Sequence, residues 1–394
     1  MNLKVIINNL IWMFLFILLI LGIILFFTRK PNNNTISNDD EENILPTPSL
    51  ELKYNPNIEY SAWIADWAWK DGVESLAKSD NFDSISPVWY ELNEDGTLKD
   101  IRNQNNDNFM QIVKSKNIKL IPTIANFDHE KFHGILQNQE SFNNQIDGIL
   151  YEVNNYNYDG IDLDYESIQL DDKKLFFDFL KILSSKLQAI NKKLIVTVVP
   201  KWSDEDIYKS LRETRQVQDW TEISKYADEI RIMTYDYTFS GSKFPGPIAP
   251  LNWMENVVKY ALTKLPADKI TLGIHLYSYE WWIESDPANE YEDVELEIKY
   301  NNDDNFADNS KKVRSYTYNT VEKVIKGNKG ELIQYEGENI YTYSKINSST
   351  NKLEKRVLVF IDRDGVKSRE ELAKKYGLKG VAYWRLGNEG DLLN

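Results

Sequence analysis

Short apolar runs recur along the chain, each followed by a stretch in which apolar positions return every three or four residues. The runs fall at 61–67, 84–90, 118–124, 160–165, 193–199, 229–235, 270–277 and 380–384. Their length and their Ile, Val, Tyr and Trp content read as strands of a buried parallel sheet. Between them the helical spacing is explicit. Leu175, Phe176, Phe179, Leu180, Leu183 and Leu187 line one helix face, and Val257, Val258, Ala261 and Leu262 line another. Eight strands alternating with helices predict an α/β fold, a (β/α)8 TIM barrel, whose functional groups gather at the C-terminal ends of the strands.

The seventh and eighth runs stand far apart. Between about 286 and 363 lie a helix-like piece near 318–325 and strand-like pieces at 332–334, 340–344 and 356–361. Together they predict a small α+β insertion between strands 7 and 8, after which 368–376 reads as the helix leading into the last strand. At the other end of the chain, residues 10–27 carry no charged or strongly polar side chain. That is about the length needed to cross a hydrocarbon core, so it predicts a transmembrane helix. Phe26, Phe27, Thr28, Arg29 and Lys30 stand where a cleavable signal would place small residues, so the segment reads as an uncleaved anchor rather than a removed signal peptide. The expected organisation is a membrane anchor at 1–30, a disordered tether rich in Asn, Ser, Asp, Glu and Pro at 31–57, and a barrel at 58–394. With a cytoplasmic N-terminus, the barrel is extracellular.

The net charge of −15 disfavours nucleic acid as a partner, because phosphate contacts need clustered Lys and Arg. No cysteine is present, which removes disulfides, thiolate metal sites and a cysteine nucleophile from consideration. No obligate protein partner is expected.

The most informative stretch is the fourth run, where Asp159, Gly160, Ile161, Asp162, Leu163, Asp164, Tyr165 and Glu166 follow one another. Side chains two apart share a strand face, so Asp162, Asp164 and Glu166 point one way while Ile161, Leu163 and Tyr165 point the other. A solvated edge strand would alternate in the same way, but helical stretches on both sides argue for burial. Buried like charges raise one another's pKa unless donors or a shared proton relieve them. That is how a neutral acid is kept ready near pH 7.

These residues match the pattern DGxDxDxE without departure, and on them the chain resembles glycoside hydrolase family 18, the chitinase-like enzymes. Met233, Thr234, Tyr235 and Asp236 at the sixth run, and residues 380–387 at the eighth, extend the resemblance. The stretch 233–250, with Gly246, Pro247, Ile248, Ala249 and Pro250, is most similar to the spore-germination branch, whose members attack cortex peptidoglycan. The resemblance covers about 58–389. It implies that Glu166 is the general acid and that the substrate's own acetamido oxygen is the nucleophile. It further implies that Asp164 orients the acetamido group, that Asp162 shares a proton or hydrogen bond with Asp164, and that Asp159 is structural. Tyr235 then donates to the acetamido carbonyl, Met233 and Asp236 line the sugar subsite, and Trp384 is the platform beneath the reacting sugar. Trp63, Trp67, Trp69, Trp89, Trp281 and Trp282 are open to either sugar binding or packing.

His129, Glu130 and His133 spell HExxH, a zinc-protease pattern, but they follow a barrel run and no downstream His completes the longer motif. The reading therefore calls for no metal and no cofactor. The expected activity is a retaining glycosidase acting on β-1,4 bonds next to N-acetylglucosamine, with cell-wall peptidoglycan as substrate. Chitin is the alternative substrate, and a catalytically silent glycan-binding protein of the same fold is the alternative function.

Overall fold

The computed structural model describes residues 54–102, 106–205, 213–242, 244–284, 313–346, 351 and 353–393. The predicted anchor at 1–30 and nearly all of the tether lie outside those residues. Among the described residues, no helix is long and apolar enough to cross a membrane.

β1 (Glu59–Ile64) pairs in parallel with β2 (Ser84–Leu92), and β3 (Leu98–Asp100) folds back on β2. The third barrel position holds two short strands, β4 (Lys119–Leu120) and β5 (Thr123–Asn126). β6 (Gly160–Tyr165), β7 (Lys193–Val198), β8 (Glu229–Ile232) and β9 (Ile270–His275) follow around the ring. An inserted sheet comes next: β10 (Ser278–Glu284), β11 (Val313–Tyr316), β12 (Gly330–Tyr335), β13 (Glu338–Ile346) and β14 (Leu353–Phe360). β15 (Gly380–Trp384) then pairs with both β9 and β1 and closes an eight-stranded parallel barrel.

Departures from the predicted runs have local causes. Pro122 has no N–H to give the ladder, and it separates β4 from β5 within the single run expected at 118–124. The sixth strand stops at Ile232, three residues short of the apolar run, because the Thr234 and Tyr235 amides turn back to the Ile232 and Met233 carbonyls at 2.8 and 2.9 Å. The inserted sheet starts at Ser278, directly after the seventh barrel strand and ahead of the expected start near 286. It is antiparallel, in the order β11-β10-β14-β13-β12. Helix Tyr318–Gly327 covers it by packing Val321 with Tyr341, Tyr343, Leu358 and Phe360. Glu336 and Gly337, both with positive φ, make the two-residue turn between β12 and β13.

The alternation read in β6 sorts its side chains between two environments. Tyr165 lies 4.9 Å from Phe132 and 6.3 Å from Phe179, on helices His129–Gln137 and Lys173–Ala189, while Ile161 and Leu163 are fully buried. Each such side chain stabilises the barrel by about 1.5–3 kcal/mol. Gly160 opens the strand where a Cβ would meet the Lys193 carbonyl oxygen at 2.4 Å, so close approach of β6 and β7 requires glycine there. Asp159 accepts from the Leu120 amide at 2.8 Å and ties the strand's start to β4.

Candidate active site

Asp162 has its two oxygens fully committed inside the barrel. Oδ2 accepts from Trp63 Nε1 at 2.9 Å and from Thr123 Oγ1 at 2.8 Å, and Oδ1 accepts from Thr197 Oγ1 at 2.8 Å. Arg231 Nη1 stands 3.7 Å away, and both side chains are sealed from solvent. Arg231 is itself held by Glu229 at 2.9 Å and by Ser86 at 2.7 Å. The donors reach Asp162 from β1, β5 and β7, with the cation on β8. Among the described residues no hydrogen bond links Asp162 to Asp164, and the Asp162 oxygens are taken by donors on the other strands.

Asp164 is the next inward side chain of β6. It is buried, yet its Oδ1 has no hydrogen-bond partner among the described residues. Burial, reinforced by the charges of Glu166 and then Asp162, pushes its carboxyl well above the usual carboxylate range. Glu166 sits just past the end of β6, half-buried, with its backbone N–H donating to the Asn126 carbonyl at 3.0 Å.

Asp164 and Glu166 open into a cavity of about 560 Å³, within the ~300–1,000 Å³ range of ligand pockets. Tyr235, Asp236, Met233 and Trp384 line it as well. Burial first, then the charges of Asp164, Glu166, Asp236 and Asp162, raise the Tyr235 phenol well above its ordinary value, so its hydroxyl remains a donor. Asp236 adopts a left-handed backbone (φ 58) and receives hydrogen bonds from Tyr277 and, at 3.3 Å, Tyr279. Trp384 ends β15, with its ring edge-on to Trp63 at 5.9 Å and to Trp67 at 6.2 Å. Trp67 and Phe127 stand at the mouth, 70% and 64% exposed. The cavity thus combines a carboxyl whose burial raises its pKa, a second carboxyl, a phenol donor and an aromatic wall.

Six of the seven sequence-predicted site residues line the cavity, and the seventh, Asp162, lies beneath it. Of the open tryptophans, Trp63 and Trp67 line the cavity. Trp69 and Trp89 pack around Phe109, Trp281 is buried in the inserted sheet, and Trp282 lies under Arg314 and Arg356. Sequence reasoning missed Arg231, Thr123 and Thr197. For Arg231 a signal existed, a charged pair with Glu229 on one face of an otherwise apolar strand. His133 faces buried Asp172, with Nδ1 2.8 Å from its Oδ1, and no group of three metal-ligating side chains occurs among the described residues.

A family model described as glycosyl hydrolases family 18 matches residues 20–389. The chain is 25% identical over 288 residues to the uncharacterized glycosylase YvbX of Bacillus subtilis, covering 71% of this chain and 74% of that protein. It is 23% identical over 172 residues to the cortical fragment-lytic enzyme of Bacillus subtilis, covering 44% of this chain and about a third (34%) of that one. In fold it is similar to a chitinase from Chromobacterium violaceum, with a TM-score of 0.69 at 19% identity over 85% of this chain and 96% of that one. The Bacillus megaterium spore cortex-lytic enzyme SleL gives a TM-score of 0.66 at 19% identity, over 85% of this chain and 72% of that one.

Proposed function

The chain belongs to family 18 of the glycosyl hydrolases, and on that footing we propose that it is a retaining glycosidase cleaving β-1,4 bonds next to N-acetylglucosamine by substrate-assisted catalysis. The observation that carries this reading is Asp164 Oδ1, a buried acceptor facing the cavity without a hydrogen bond. A buried orphan acceptor costs about 1–3 kcal/mol unless a ligand supplies the donor. An acetamido N–H is such a donor, and once it is held there its carbonyl oxygen lies near the anomeric carbon.

Glu166 then protonates the glycosidic oxygen as that acetamido oxygen attacks, and the C–O bond to the leaving sugar breaks. A cyclic oxazolinium forms in place of a covalent enzyme ester, and Glu166 regains its proton from the water that opens the ring at the anomeric carbon. Asp164 faces the positive charge that develops. Tyr235 donates to the acetamido oxygen, Trp384 stacks under the sugar's C–H face, and Met233 and Asp236 bound the subsite. Asp162 supports the floor through its bonds to Trp63, Thr123 and Thr197.

Bacterial cell-wall peptidoglycan is the favoured substrate, supported by sequence likeness to the cortical fragment-lytic enzyme and by the stretch 233–250. The apolar run at 10–27 supports a membrane tether, and a substrate outside the cell is the reason for placing the barrel there. Matched oligosaccharides with and without the N-acetyl group test the mechanism. The acetylated substrate should be cleaved, the deacetylated one should be almost inert, and a thiazoline mimic of the cyclic intermediate should inhibit. Equal cleavage of both substrates, or a glycosyl ester on any carboxylate of the protein, overturns it. Mass analysis of products from purified peptidoglycan and from chitin oligomers decides between the two polymers.

A further inference from the structure

Three successive carbonyls at the end of β6 are each taken by a side chain. Gln218 Nε2 donates to the Tyr165 carbonyl at 3.1 Å, Thr214 Oγ1 to the Glu166 carbonyl at 2.9 Å, and Asn126 Nδ2 to the Ser167 carbonyl at 3.3 Å. β6 and β7 part beyond Asp164 and Thr197, the last residues in register. There the Gln218 amide enters the gap, with its Oε1 accepting from the Val199 N–H at 2.9 Å while its Nε2 serves Tyr165. One side-chain amide thus does the work of a peptide unit between two separating strands. Thr214 acts similarly within the loop, since its hydroxyl also accepts from the Ile168 amide at 3.1 Å.

Both groups come from one short helix, Glu213–Val217, and the residue after it. They are four apart and so on one face, and the Gln218 backbone N–H donates to the Thr214 carbonyl at 2.8 Å. Thr214 is 5% exposed and Gln218 1%, so water does not replace these bonds. The intervening Arg215 lines the cavity. The side chain of Glu166 leaves a backbone whose preceding and own carbonyls are both held by this helix.

We infer that Thr214 and Gln218 are positioning residues for Glu166, fixing the carboxyl's approach to the glycosidic oxygen from a loop that need not touch substrate. The inference rests on Glu166 acting as the general acid. A small displacement of a reacting group costs up to about a hundredfold in rate, and here the loss should track how much the leaving group needs a proton.

The test compares two substrates with the full-length protein. One is an acetylated chitin oligosaccharide with a sugar leaving group, and the other is the dinitrophenyl β-glycoside of diacetylchitobiose, whose leaving group departs without a proton. Thr214→Val and Gln218→Met should lose about tenfold to a hundredfold in kcat/KM on the first. Both should stay close to wild type in kcat/KM on the second, a quantity that stops at departure of the leaving group and so leaves out Glu166's later action as base on water, and Thr214→Ser should restore the rate. Equal losses on both substrates, or no loss on either, overturn the positioning role. If wild type cleaves both substrates but Glu166→Gln shows no leaving-group dependence, it is the assignment of the acid that fails. Melting of each variant is followed alongside, and Thr214→Ser, which keeps the hydroxyl, reads out the role even where Gln218→Met folds poorly.

Discussion

Arg231 and Asp162 lie 3.7 Å apart with neither side chain reaching solvent, so the carboxylate at the base of the acidic row has a counter-charge two strands away in the same barrel. Glu229 shares the cation, and Thr271 Oγ1 in turn donates to Glu229 at 2.9 Å. Replacing Arg231 by Met should leave two buried carboxylates facing an apolar side chain. Removing one partner of such a buried network costs about 3–5 kcal/mol, to be read from urea unfolding. A loss well under ~1 kcal/mol, the scale of an exposed pair, would show that the floor stands without its cation.

Glu166→Gln keeps the shape and cannot deliver a proton. Turnover of an oligosaccharide should fall by at least about a hundredfold, with unchanged melting because Glu166 is only half-buried. Wild-type-like turnover would remove Glu166 from the mechanism.

Asp164 ties stability to pH with a definite sign. Its folded pKa is raised by burial and by Glu166 and Asp162, so the native state binds its proton more tightly than the unfolded chain does. Stability from this group is fully present below the ordinary Asp range. It falls as pH rises from there toward the raised native value. Asp164→Asn, which carries no charge at any pH, should therefore gain stability relative to wild type as pH rises through that window, while losing most activity. Parallel unfolding midpoints of the two proteins from pH 4 to 8 would contradict the raised pKa.

Tyr235→Phe keeps the ring against Tyr277, which it meets edge-on at 6.3 Å, and deletes the hydroxyl. The loss of one donor at a developing charge is worth about a hundredfold in kcat. Because the phenol is held protonated above its ordinary range, the wild-type to variant ratio should stay constant up to about pH 10. A ratio that collapses between pH 8 and 10 would mean that the hydroxyl titrates freely.

Legibility from sequence followed the physics of each element. The period-two pattern of β6 was complete in itself, since each side chain's face follows from its parity, and the acidic row with its apolar reverse could be read directly. Strand ends were not readable. The apolar run 229–235 continues past Ile232, and only the backward hydrogen bonds of Thr234 and Tyr235 end the strand there. Partners drawn from distant strands were equally hidden. Nothing in the local sequence around Thr123, Thr197 or Trp63 announces that all three converge on Asp162. The inserted sheet was foreseen in kind but not in extent, because β10 continues the apolar run of β9 with only Leu276 and Tyr277 between them.

The bonds that hold Asp162 come from barrel strands on either side of β6 and from none of the loops that wall the cavity. The bonded floor beneath the cavity is therefore inherited with the barrel and is indifferent to what the loops around Trp67 and Phe127 become. Loops around Trp67 and Phe127 are free to be exchanged or lengthened, altering which glycan is admitted, whereas the segment around Arg215 is tied to the chemistry through the bonds of Thr214 and Gln218. Grafting those loops between relatives is thus a route to new substrate range that leaves the proton inventory of the site in place.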